Sequence, residues 1–197
     1  MEINQALDHY TFFPLVAERW NDFETLFGPR GACAGCWCMW WKLSRKDFTA
    51  NQGEGNQKAI AEMVHGGQIP GILAYHGDTP VGWIAIEPRE NYRALEHSRV
   101  LKRPDPIQVW SITCFFIHKH YRNRGLMSAL IEAAIEYAAN QGAINIEAYP
   151  IDPLEEKVSN LSIFTGHAST FRAAGFVEVA RNSPKRPIMR YTIRNKD

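Results

Sequence analysis

The stretch that most constrains this chain runs Val109-Trp-Ser-Ile-Thr-Cys-Phe-Phe-Ile117, then a short basic segment from His118 to Gly125, then a helical repeat ending at Asn140. The first part is apolar and β-branched almost without interruption, which suits a central strand buried on both faces. From Ser128 to Asn140 the period changes to that of a helix. Leu126, Leu130, Ala134 and Tyr137 fall on one side, while Glu132 and Glu136 share another. A buried strand, a tight polar loop and an amphipathic helix form a unit that belongs in an α/β sheet.

The flanking segments extend that reading. Phe12, Val16, Trp20, Phe23 and Phe27 recur at spacings of three and four and predict a helix from Phe12 to Phe27, stopped by Gly28-Pro29. A second helix is expected over Gln57–Val64. Gly71–Tyr75 and Val81–Ile86, separated by His76-Gly-Asp-Thr-Pro80, read as a β-hairpin. Residues 88–107 read as a long loop with a helical turn. Ile144–Tyr149 is a further strand, Ala168–Ala174 a short helix closed by Gly175, and Phe176–Ala180 and Ile188–Ile193 two final strands. The sum is a mixed α/β fold in one domain spanning residues 1–197.

Composition excludes several functions. Lys and Arg total 22 against 21 for Asp and Glu, so no net field recruits nucleic acid or a membrane surface. No apolar run approaches the roughly 18 residues a membrane span needs. Met1-Glu-Ile-Asn-Gln5 lacks the basic and apolar regions of a secretion signal, so a cytoplasmic location is expected. In that compartment Cys33, Cys36, Cys38 and Cys114 are reduced thiols. The Cys33-x-x-Cys36-x-Cys38 spacing invites zinc, but a structural zinc site wants four ligands and no second cysteine pair exists, so no metal is expected.

The loop Arg122-Asn-Arg-Gly-Leu-Met127 carries the chemistry. A helix start presents unpaired N–H groups and a positive dipole end, which suits a phosphate. Gly125 permits close backbone approach, Arg122 and Arg124 add charge, and Ser128 adds a hydroxyl. An ordinary solvated turn has the same ingredients.

Val109–Ala139 resembles the cofactor motif of the GNAT superfamily of N-acetyltransferases. Its pattern is Arg/Gln-x-x-Gly-x-Gly/Ala between the fourth strand and the third helix. Arg122 and Gly125 match, and Met127 departs from the final small residue. Pro80-Val-Gly-Trp83 before the motif and Phe171-Arg-Ala-Ala-Gly-Phe176 after it are also family-like, so the resemblance covers roughly residues 70–181.

The resemblance implies a GNAT-like mixed central sheet with a strand-loop-helix acyl-coenzyme A site and flanking helices. Residues 1–69 would be a helical part on the acceptor side, 70–181 the cofactor-binding core and 182–197 a C-terminal strand. It implies transfer of an acetyl group from acetyl-coenzyme A to the primary amine of a small molecule or peptide, with a homodimer as an option. Main-chain groups of Phe115, Phe116 and Ile117 would meet the pantetheine arm, and the segment Arg122, Asn123, Arg124, Gly125, Leu126, Met127 and Ser128 the pyrophosphate. An N–H near Phe115 would polarise the thioester carbonyl. Trp37, Trp40, Trp41 and Glu87 would line the acceptor cleft.

Two family features are missing. The tyrosine that commonly protonates the departing thiolate maps to Phe171, and a frequent glutamate base maps to Ser111. Glu147 and Tyr149, which share a strand face by alternation, are the candidate catalytic groups for taking the ammonium proton. The alternative is a GNAT-fold protein that binds an acyl-coenzyme A or another ligand without turnover.

Overall fold

The fourth strand, β4 (Trp110–Ile117), lies at the centre of the sheet and orders everything around it. The computed structural model describes residues 10–152 and 164–193. In chain order the strands are β1 (Tyr10–Pro14), β2 (Gly71–His76), β3 (Thr79–Pro88), β4, β5 (Asn145–Ala148), β6 (Val177–Ser183) and β7 (Arg186–Thr192). They form one seven-stranded sheet in the order β1-β2-β3-β4-β5-β7-β6. Neighbours are antiparallel except β4 and β5, which are parallel. That parallel pair is what the strand-loop-helix unit requires, because a parallel connection needs a crossover and here the crossover is α5 (Leu126–Asn140).

The expected mixed α/β architecture is present, with one correction near the start. Residues 10–14 are an edge strand, and the helix α1 begins only at Trp20 and ends at Phe27. A tight turn at Ala17–Arg19 joins them. Phe12 is half-buried by the strand alternation of β1, while Trp20, Phe23 and Phe27 are buried by the helical repeat of α1. Two periods placed end to end mimic one longer helix. Pro14 closes the strand, where an edge position tolerates its missing N–H.

Helices cover both faces. α5 packs its Leu126, Leu130, Ile131 and Ala134 against Ile84, Ile86, Ile112 and Ile146 of the sheet. Gly82 permits that closeness, since a Cβ there would stand 3.1 Å from Leu126 and 3.3 Å from Leu130. The short helix α6 (Ala168–Ala173) adds Phe171 to the same core. On the opposite face α1 and α3 (Glu54–His65) bury Phe23, Phe27 and Ile60 against Leu73 and Trp83. Of two short helices, α2 (Arg45–Ala50) adds Phe48 to the α1 core, and α4 (Arg93–Glu96) packs Leu95 with Tyr149 and Ile188.

The segment before α2 has unusual backbone. Gly31, Ala32, Ala34, Gly35, Trp37 and Cys38 all adopt positive φ. The chain winds around Trp37, whose indole stacks on Phe27 at 5.7 Å and leaves no space for a Cβ on Gly31. Asn56 donates to the Gly35 carbonyl at 3.0 Å, and the Trp83 indole N–H donates to Cys38 Sγ at 3.0 Å.

Candidate acyl-transfer site

β4 and β5 are paired only from Trp110 to Ile112, opposite Ile146 to Ala148. β3 continues to pair with β4 as far as Ile117. From Thr113 onward the β5 side of β4 therefore has no strand partner among the described residues. Beyond the fork, the chain after β5 turns to another neighbour. The Ile151 N–H donates to the Gly166 carbonyl, and the Ala168 N–H donates to the Ile151 carbonyl, both at 2.9 Å. Gly166 adopts φ +81, and a Cβ there would stand 2.9 Å from the Phe171 ring and 3.2 Å from Phe115.

The loop from β4 to α5 closes one side of this fork. Gly125 is the N-cap residue of α5 in the left-handed conformation (φ 77, ψ −2), and no side chain caps the helix. The first N–H groups of a helix have no partner within it, so the turn around Gly125 to Ser128 presents donors to solvent. Asn123 is also left-handed at φ 60, an arrangement its short polar side chain tolerates. Nothing lies within 4 Å of where a Gly125 Cβ would be, so the approach is open. Arg122 Nε donates to the Ile117 carbonyl at 3.0 Å and ties the loop back to the end of β4. Arg124 lies 5.7 Å from the Tyr121 ring centre. Uncapped donors, two cations and unpaired strand backbone fit a long ligand with a phosphate at one end.

The cofactor-side residues expected from sequence come together here, with their side chains divided. Leu126 is buried and Met127 packs half-buried on the core, so the bulk of Met127 is taken up by the protein. Phe115 faces the α5 core edge-on to Phe171 at 6.0 Å. Phe116 faces the other core, 5.3 Å from Phe27. Ile117 packs against the α5 core.

The expected acid–base residues sit in a closed network. Glu87, Ser111, Glu147 and Arg190 are register neighbours across β3, β4, β5 and β7. Each Glu147 oxygen accepts two hydrogen bonds. Oε1 takes Arg190 Nε and Nη2 at 3.2 and 2.7 Å, and Oε2 takes Arg89 Nη1 at 3.2 Å and the Tyr149 hydroxyl at 3.1 Å. All the acceptor directions of the carboxylate are filled. Tyr149 also contacts Ser111 Oγ and Arg89 Nη1 at 2.8 Å each. Burial, followed by the Glu147 charge, holds the Tyr149 hydroxyl well above the usual tyrosine range. Glu87 is buried and pairs with Lys42, with Asn91 Nδ2 donating to it at 3.1 Å.

A cavity of about 770 Å³ opens beside this network. Trp40, Trp41, Arg45, Arg93, His97, Leu101, Phe164 and Arg186 are among its walls. Of the four residues expected to line an acceptor cleft, Trp40 and Trp41 are on the wall of this cavity. Trp37 and Glu87 are packed elsewhere, Trp37 in the α1 core and Glu87 against Lys42. The arginines were missed from sequence. Only Arg45, four residues after Trp41, carried a local signal.

A mixed sheet forked between its two parallel strands, with an uncapped helix start at the fork, is the architecture of an acetyltransferase fold. Residues 37–153 match the profile of the acetyltransferase (GNAT) family, and the chain belongs to that family. Among solved structures it resembles a PaiA N-acetyltransferase from Thermoplasma acidophilum in complex with coenzyme A, at 12% identity and TM-score 0.51, over 93% of this chain and 99% of that one. It also resembles a GNAT-family acetyltransferase from Listeria monocytogenes (9%, TM-score 0.56, 93% and 95%). A third likeness is the ribosomal-protein-S5-alanine acetyltransferase from Vibrio fischeri (14%, TM-score 0.52, 93% of both chains). These likenesses show the fold. No curated protein matches the chain.

Proposed function

We propose that the protein transfers an acetyl group from acetyl-coenzyme A to the primary amine of an acceptor held in the cavity beside Trp40 and Trp41. The observation that carries this is the fork between β4 and β5 with the uncapped start of α5 beside it. Unpaired backbone of residues 113–117 would receive the pantetheine arm as a strand receives a neighbour. The amides from Asn123 to Ser128, with Arg122 and Arg124, would hold the pyrophosphate. When bound, the thioester supplies the activated acyl carbon, and the protein's part is to orient it and to exclude water.

Proton handling follows from what is present. Phe171 offers no proton, and a coenzyme A thiol is acidic enough to leave as thiolate. Glu147 and Tyr149, the candidate bases, serve in this reading to position the sheet around the fork, because their lone pairs and proton are already engaged. On the cavity wall His97 is the lining imidazole. Its Nδ1 meets the Arg93 carbonyl at 2.8 Å, an arrangement in which Nδ1 donates and Nε2 is the nitrogen turned to the acceptor. The absence of a family-type acid at Phe171 also suits a binder without turnover. Thiol release from acetyl-coenzyme A over an amine panel separates the two.

The cofactor side is tested at Gly125. Gly125→Ala pays only for a Cβ at positive φ, about 1–2 kcal/mol of stability, and has open space around it. Gly125→Glu adds a carboxylate where the pyrophosphate would lie. Calorimetry is expected to show acetyl-coenzyme A binding in the parent, a modest loss in the alanine variant and near-complete loss in the glutamate variant. Equal affinity in all three removes the assignment.

A further inference from the structure

The cavity carries a charge pattern that deepens this reading and rests on it. Among the described residues, the charged groups on its wall are Arg45, Arg93, Arg186 and the ionisable His97, and none of the lining residues is an aspartate or glutamate. Three guanidiniums around one concave, partly apolar space focus a positive field into it. Across the whole sequence the charges nearly cancel, so this concentration is local.

The arginines differ in how far the protein already satisfies them. Arg93 Nη1 is 3.7 Å from Asp47, and both side chains are well exposed. Arg45 stacks over Trp40, its guanidinium carbon 3.2 Å from the ring centre, and its Nη1 donates to the Trp40 carbonyl at 3.2 Å. Stacking fixes the guanidinium plane and leaves the edge donors other than that Nη1 hydrogen for a ligand. Arg186 is half-buried at the β6–β7 turn. It donates from Nη1 to the Tyr149 carbonyl at 3.2 Å and to Thr165 Oγ1 at 3.0 Å, and has no carboxylate partner among the described residues. Burial lowers its pKa. A desolvated guanidinium anchored by one nitrogen to neutral oxygens retains donors that suit a planar anion.

We propose that this cavity recognises an acceptor bearing an anionic oxygen group, a carboxylate or a phosphate, alongside its amine, with Arg186 and Arg45 as the anion-binding residues. Trp40, Trp41, Phe164 and Leu101 give much of the wall an apolar character, interrupted by Ser44, Ser98 and Ser183, so the body of the acceptor is largely apolar or aromatic. The opposite choice, a polycationic acceptor, meets three like charges, and the carboxylate nearest to them among the described residues, Asp47, is set against Arg93.

The test reads the pocket separately from the cofactor. Calorimetric titrations without acetyl-coenzyme A would use phenylalanine, glutamate, γ-aminobutyrate and a series of longer ω-amino acids, each beside its amide. Phosphoethanolamine beside ethanolamine, and phosphotyramine beside tyramine, form the phosphate arm. At least one anionic member is expected to bind tenfold or more tightly than its neutral partner. In Arg186→Gln that preference is expected to fall below threefold while the neutral partner is unaffected. Arg45→Gln is the second variant should the first fail to fold. The arm with the larger preference identifies the anion. If no anionic amine binds better than its neutral partner, or if both variants keep the preference, the proposal is overturned. Acetyl-coenzyme A binding, measured in the same samples, reports on the transferase reading by itself. Its loss in the parent would sink that reading and leave the pocket result standing.

Discussion

Glu147 shows how a residue can be found from sequence while its surroundings stay hidden. Strand alternation puts it on the same face as Tyr149, and the two are in hydrogen-bond contact at 3.1 Å. Its cationic partners Arg89 and Arg190 lie 58 and 43 residues away along the chain, and no local pattern announces them. Their presence changes what substitution does. Glu147→Gln removes the charge that two largely buried guanidiniums share, and breaking such a pair costs about 3–5 kcal/mol. The expected outcome is a large fall in the urea midpoint, with turnover per folded molecule within about tenfold of the parent. A hundredfold loss of turnover with stability intact would instead make Glu147 the base. Phe171 is the complementary case, fully buried with its ring edge-on to Phe115 and Phe176. Phe171→Tyr buries a hydroxyl among those rings and is expected to cost about 1–3 kcal/mol. Turnover should change by less than about tenfold, measured on material shown to be folded. Restored acid catalysis, seen as a sharp rise in rate, would contradict this.

At the scale of elements, the hairpin, β4, α5 and the final strands were legible because each has one dominant period and clear stops. Residues 10–27 were not, because β1 and α1 join with their buried residues in apparent helical phase. The segment from Gly31 to Cys38 defeated pattern reading for another reason. Its shape comes from packing around Trp37 and from side chains such as Asn56 that lie beyond it in sequence. Its backbone strain is testable. Ala32 adopts φ 66 and ψ −72, the rare tight-turn geometry, which an L side chain disfavours and glycine accepts. Ala32→Gly is therefore expected to stabilise by about 1 kcal/mol, although glycine costs entropy in most settings. Urea unfolding should show a higher midpoint at unchanged slope. A lower midpoint would mean that the strain is relieved by contacts of the Ala32 methyl, which packs half-buried against the Trp37 core.

Across the whole molecule, the β5–β7 end of the sheet is held by charge as well as by apolar packing, and this gives the fold a predictable response to acid. Arg190 links Glu147 on the sheet to Asp105 in the long loop, with Nη1 and Nη2 at 2.8 and 2.9 Å from the Asp105 oxygens. The Arg190 hydrogen bonds hold the Asp105 carboxyl below the usual range. Asp152, beyond β5, is held low in the same way by Arg172 and then Arg181. A carboxyl whose folded pKa is depressed binds fewer protons than the unfolded chain does. Its stabilisation is complete above the unfolded value, near 3.9 for aspartate, and is lost as pH falls through the lower folded value. Stability should therefore hold from neutrality to about pH 5 as far as these two groups are concerned, and then fall steeply below about pH 4. Both carboxyls are partly exposed, so added salt should weaken their share of the effect. The measurement is Tm against pH from 7 to 3 for the parent and Asp105→Asn. The variant should start lower at neutral pH and lose less below pH 4, so that the two curves converge in acid. Curves that stay parallel through that window would show that the tie between Arg190 and the long loop adds nothing to stability.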